Sequence, residues 1–179
     1  MVMRLRPTRG GFQRPFGCGW FIREFLAGRA PNGTPDIDPE VGAPQTDIFS
    51  AYKEALIRGR AENTVAKEEE KRIRQGKRPL SIEEADAMLQ ALIDKMPFRS
   101  TGMTYHSFVN YFAILKRLGW VEKTGSTEPS TFQAHYPEGP PRVFYSITDA
   151  GRAATEDQLS DPIGYLYGYT PSERSGKSK

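Results

Sequence analysis

The stretch that leaves this chain least freedom is "RVFYSITDAGRAA", residues 142–154. Val143, Tyr145 and Ile147 alternate with Phe144 and Ser146, which is the period of a strand. Thr148-Asp149-Ala150 then reads as the start of a helix, with no loop between the two. A strand that feeds a helix with no loop is an uncommon junction in so small a protein.

The rest of the chain supplies further helices. "GWFIREFLAG" (19–28) sets Trp20, Phe21, Phe25 and Leu26 on one side of a short helix. A long helix is expected from about Asp47 to Gln75. Ile48, Phe49, Tyr52, Ala55 and Leu56 make its first half a packed one, and "AENTVAKEEEKRIRQ" makes its second half a solvated or partner-facing one. Gly76 and Pro79 end it. "SIEE" (81–84) is a capping box, Ser81 toward the Glu84 amide and Glu84 back toward Ser81. Ile82, Ala85, Met88, Leu89, Leu92, Ile93 and Met96 then mark one face of the next helix. A further helix is expected from about Thr104 to Leu118, closed by Gly119, followed by a strand in "WVEKT" (120–124) and a long loop. The final helix starts at Thr148 and fades by about Ser160.

From Ser81 to Thr155 the order is helix, turn, helix, strand, loop, strand, helix. "LKRLGWVEKTG" resembles the end of a recognition helix entering a first wing strand, and "VFYSITDAGRAA" is similar to the second wing strand and helix junction of MarR-type and PadR-type transcriptional regulators. The resemblance covers about residues 81–155. It implies a mainly α protein with a small β-hairpin wing, a winged helix-turn-helix with an N-terminal helical extension. The divisions expected are a basic arm, short helix and Pro/Gly linker over 1–46, a winged-helix domain with a long leading helix over 47–160, and a polar tail over 161–179.

On helix 104–118, Tyr105, Phe108, Val109, Phe112, Leu115 and Leu118 form an apolar arc. The opposite arc holds His106, Asn110, Ala113 and Arg117, flanked by Ser107 and Lys116. Asn pairs with adenine, Arg with guanine, and His or Ser with bases or phosphates, so the arc suits a major groove. A solvated helix shows the same polar arc, and Lys116 and Arg117 also suit a helix C-terminus. The expected base-facing residues are His106, Asn110 and Arg117. The expected phosphate contacts are Arg99, Ser107, Lys116, Lys123 and Arg142, with Arg4, Arg6, Arg9 and Arg14 of the arm adding affinity. Between Lys123 and Arg142 there is no Lys or Arg, which is unusual for a wing that grips phosphate.

The expected partner is double-stranded DNA, with a homodimer or a larger protein assembly as a further association. The alternative is a winged-helix protein-interaction module, or an accessory subunit of a nucleic-acid-processing or RNA-containing assembly. Salt dependence separates the two, because phosphate contacts make log K fall steeply with log salt. No catalytic residue, metal or cofactor is expected. One cysteine and two histidines form no familiar metal set, and "GFQRPFGCGWF" lacks the preceding strand of a dinucleotide loop. Hydrophobic residues make up 37% of the 179, so part of the chain lies outside any core, and no apolar run approaches the roughly 18 residues of a membrane helix. Net charge is +3, in alternating basic and acidic blocks. The expected setting is cytoplasmic, and nucleoid-associated if DNA is bound.

Overall fold

The computed structural model describes residues 6–7 and 13–168, excepting the side chains of residues 6, 7, 13 and 132. The chain is mainly helical, with one small antiparallel sheet of three strands and one two-stranded pairing. Contacts gather it into two compact units, each discontinuous in sequence. One draws on the chain up to Phe16 and on Lys53–Thr104. The other draws on Gly17–Tyr52 and on the chain from Tyr105 onward.

The second unit is a mixed one. Its elements are α1 (Cys18–Leu26), β3 (Ala43–Pro44), the start of α2 (Gln45–Arg74), α4 (Tyr105–Arg117), β4 (Val121–Glu128), β5 (Arg142–Ile147), α5 (Asp149–Ala153), α6 (Glu156–Ser160) and α7 (Pro162–Tyr167). The sheet order is β3-β5-β4, so β5 is central. Ala43 pairs with Tyr145 on one edge of β5, and Val121 with Ile147 on the other. The β4–β5 ladder slips between Lys123 and Thr127, and beyond the slip Glu128 faces Arg142.

Aromatic packing fills this unit. Phe21, Ile22, Phe25 and Leu26 of α1 are buried, as are Ile48 and Tyr52 of α2, and Phe108, Phe112 and Leu115 of α4. The rings touch in sequence. Phe21 lies 5.2 Å from Tyr52, Phe49 lies 5.2 Å from Phe108, and Phe112 lies 5.0 Å from Tyr145, edge to face. Each such side chain taken out of water contributes about 1.5–3 kcal/mol.

The strand-to-helix junction has a specific chemistry. The Thr148 hydroxyl accepts from the Gly151 amide and donates to the Gly119 carbonyl at 2.6 Å, while the Thr148 amide donates to the Trp120 carbonyl at 3.0 Å. A Cβ on Gly151 would sit 2.2 Å from that Trp120 carbonyl oxygen. The junction therefore locks the start of α5 onto the end of α4, and only glycine fits at 151. Gly119 itself adopts φ 68°, which closes α4 by returning the Trp120 amide to the Leu115 carbonyl at 3.0 Å.

The first unit contains β1 (Arg6–Pro7), which pairs with β2 (Gln13–Arg14), the remainder of α2, α3 (Ile82–Lys95) and a 3-10 turn over Phe98–Thr101. The capping box at Ser81 and Glu84 is formed as read from the sequence. Arg78 doubles it, donating to both Glu84 oxygens at 2.7 and 2.9 Å. Buried Lys53 donates to the Met103 carbonyl at 3.2 Å and stands 5.4 Å from the Phe98 ring centroid. No residue of α3 is buried.

Candidate nucleic-acid interface

Helix α4 is the element from which an interface can be built. Phe108, Phe112 and Leu115 recur at four and three residues and are buried, which fixes the helix by one side. Tyr111 adds a second anchor that the apolar pattern missed, because tyrosine sat on neither expected arc. Its hydroxyl donates to the Leu159 carbonyl at 2.9 Å, and burial pushes its pKa well above the usual tyrosine range. Tyr105, expected in the apolar arc, is exposed; its ring meets Phe49 edge-on at 5.3 Å.

The side so left outward carries His106, Ser107, Asn110, Lys116 and Arg117, all exposed, with Ala113 between them half-buried. The thirteen residues of α4 contain no carboxylate. Asn110 Nδ2 donates to His106 Nε2 at 3.1 Å, so the two side chains hold one another. The Asn110 carbonyl and its second amide hydrogen stay available for a base edge.

Arg117 is engaged from the C-terminal side. Its Nη1 donates to the Tyr167 hydroxyl at 3.0 Å, and the guanidinium lies 5.6 Å from that ring's centroid. Helix α7, which packs on α4, places Tyr167 there, and Tyr165 stacks on Trp120 at 5.6 Å to hold α7 in place. Lys116 stands 5.5 Å from the Tyr145 ring centroid and 6.0 Å from that of Phe112, a cation over an aromatic face. Lys123 is exposed on β4, where it pairs in register with Tyr145.

The remaining expected contacts fall elsewhere. Arg142 stands at the start of β5 with its guanidinium on the carboxylates of Glu128 and Asp47 and on Thr46 Oγ1 at 3.1 Å. Two carboxylates on one cation leave little charge for a phosphate. Arg99 is exposed in the 3-10 turn of the other unit. Arg14, also of that unit, sends Nη2 to the Thr101 carbonyl at 3.4 Å and buries Nε without a partner. It is tied to its own unit rather than carried on an extended arm. Arg4 and Arg9 lie outside the described residues, as does the side chain of Arg6.

Two cavities among the described residues lie away from α4. One is a cup of about 270 Å³ in the loop after α1, walled by Asn32, Thr34 and Asp36 among others; the other, about 340 Å³, lies open under the β4–β5 loop. Among the described residues no group of His, Cys, Asp and Glu could hold a metal ion, and no helix is long and apolar enough to cross a membrane.

Comparison of the chain with family models, with curated proteins and with solved structures found no match.

Proposed function

We propose that the mixed unit is a winged helix that binds duplex DNA through α4, as a transcriptional regulator. The element order supports it: α1, β3, the start of α2, α4, then the β4–β5 hairpin. On this reading residues 53–104 are an insertion between the second and third helices of the motif. The helix that precedes α4 in the motif is then the start of α2, not α3.

The observation that carries the reading is the outward face of α4. It is exposed and free of carboxylates; on this reading His106, Asn110 and Arg117 face base edges, with Ser107, Lys116 and Lys123 beside them for phosphates. The chemistry asked of the protein is binding, with no bond made or broken. A His106→Ala/Asn110→Ala/Arg117→Ala variant should keep its fold and lose discrimination between duplex sequences, read by selection of bound duplexes from a random pool. Discrimination equal to wild type would overturn the proposal.

The second reading is a winged helix that binds protein. One observation favours it: the hairpin loop carries no cation, and Arg142 beside it is paired with two carboxylates. Salt separates the readings. Phosphate contacts lower log K with log salt by about 0.9 per contact, whereas an apolar protein interface is nearly indifferent to salt.

A further inference from the structure

His106 and Asn110 stand one turn apart on α4, both exposed, and their side chains meet: Asn110 Nδ2 lies 3.1 Å from His106 Nε2. An amide nitrogen carries hydrogens and accepts nothing, so it donates and Nε2 accepts. The ring is then neutral, with its proton on Nδ1. One Asn110 hydrogen is taken by the ring. The carbonyl and the second hydrogen remain, one acceptor beside one donor, the pattern that matches the N6 donor and N7 acceptor of adenine. A protonated ring reverses the bond. Nε2–H becomes a donor, and of the two ends of the amide only the carbonyl can accept it. The amide turns over about its terminal torsion, which has two comparable settings, and both of its hydrogens are left for a partner. Two donors match the O6 and N7 acceptors of guanine.

We propose that His106 determines specificity through Asn110, its protonation turning Asn110 from an adenine reader into a guanine reader; this rests on the DNA reading of α4 given above. Imidazole is the side chain that changes charge between about pH 5 and 8. Among the described residues Asn110 is the one partner of this ring, and no ion pair includes it. The charged groups around α4 are engaged elsewhere or make no bond to it. Asp47 of α2 and Glu128 of β4 sit on Arg142 of β5, and Arg23 and Glu24 of α1 sit on one another. Glu122 and Lys123 of β4, with Glu156 and Asp157 of α6, do not bond to the ring. Tyr165 and Tyr167 of α7 lie against Trp120 and Arg117. On α4 itself there is no carboxylate, and its cations Lys116 and Arg117 begin about 15 Å further along the axis. The charge of the ring therefore acts first on Asn110.

The first test uses the full chain without DNA, so that it stands apart from the function proposed above. Nitrogen NMR across about pH 5 to 8 should find Nε2 of His106 unprotonated at the alkaline end, and the Asn110 side-chain amide signals should move with the same midpoint as the ring. In His106→Gln, which gives Asn110 a partner that does not titrate, those amide signals should hold still. A proton on Nε2 at the alkaline end, or an Asn110 amide that does not follow the ring, would overturn the proposal. The second test is selection of duplexes from a random pool at about pH 5.5 and about pH 8. One position should pass from adenine to guanine, the ratio of the two falling by roughly tenfold or more as the pH is lowered. His106→Gln should show one preference at both pH values. Uniform tightening at low pH, with base preference unchanged, would mean that the imidazolium meets a phosphate; the switch is then overturned and the α4 reading stands. Discrimination absent at both pH values overturns the α4 reading and the switch with it.

Discussion

Single residues at the α4–β5–α5 junction set a tight constraint on the molecule. A methyl group on Gly151 meets the Trp120 carbonyl as well as the Ile147 side chain, so the junction must open to admit it. Gly151→Ala should cost about 1–3 kcal/mol, read as a lowered thermal midpoint. Thr148→Val removes the cap on the Gly151 amide and the bond to Gly119, and should cost about 1 kcal/mol. Tyr111 makes a prediction in pH. Its pKa is raised in the folded chain, so the neutral phenol is favoured there. The stabilisation is complete below the ordinary tyrosine pKa of about 10 and is lost as pH climbs toward the folded value. Desolvation of Lys53 lowers that pKa and acts with the opposite sign in the same alkaline range, so the two must be separated. The fall in stability above about pH 10 should be shallower in Tyr111→Phe than in wild type, whatever its loss at neutral pH. Tyr167 holds Arg117 by one hydrogen bond and its ring. If α4 reads DNA, Tyr167→Ala should tighten binding by about 2- to 10-fold, the worth of one such bond. Weaker binding would mean that α7 itself touches the duplex.

At the scale of elements, long amphipathic patterns were legible and short ones were not. Helices α1, α2, α3 and α4 lie within about two residues of their expected limits, because their caps and apolar spacing are written locally. Strand β3 was read as part of a Pro/Gly linker. Ala43 and Pro44 have no strand signature, and only pairing with Tyr145 and Phe144 makes them one. The final helix is expected from Thr148 to about Ser160. It breaks in two because Thr155 caps a new start, and a further helix follows it, capped by Asp161 with Pro162 at the first helical position. Of the candidate site, the polar arc of α4 is where the spacing put it. The engagement of Arg117 by Tyr167 and of Arg142 by Asp47 joins residues 50 and 95 positions apart, which no local pattern carries. The capping box of α3 offers an element-scale measurement. Because no residue of α3 is fully buried, Ser81→Ala should appear as faster amide exchange along α3, by about tenfold, with little change in global midpoint.

For the whole molecule the decisive fact is that the mixed unit is assembled from two pieces of chain. Residues 53–104 separate Phe21, Phe25 and Tyr52 from Phe112, Tyr145 and Ile147, which complete the same core. A chain ending at residue 104 should retain helical signal while its α1 amides exchange freely, whereas the full chain protects them. Synthesis makes this separation a matter of time. At roughly 5–20 residues per second, about five to twenty seconds pass between the emergence of Tyr52 and that of Ile147. Throughout that interval the aromatic side of α1 has Tyr52 of α2 to pack on but not the later strands and helices, so a newborn copy holds part of that side open to its neighbours on the polysome.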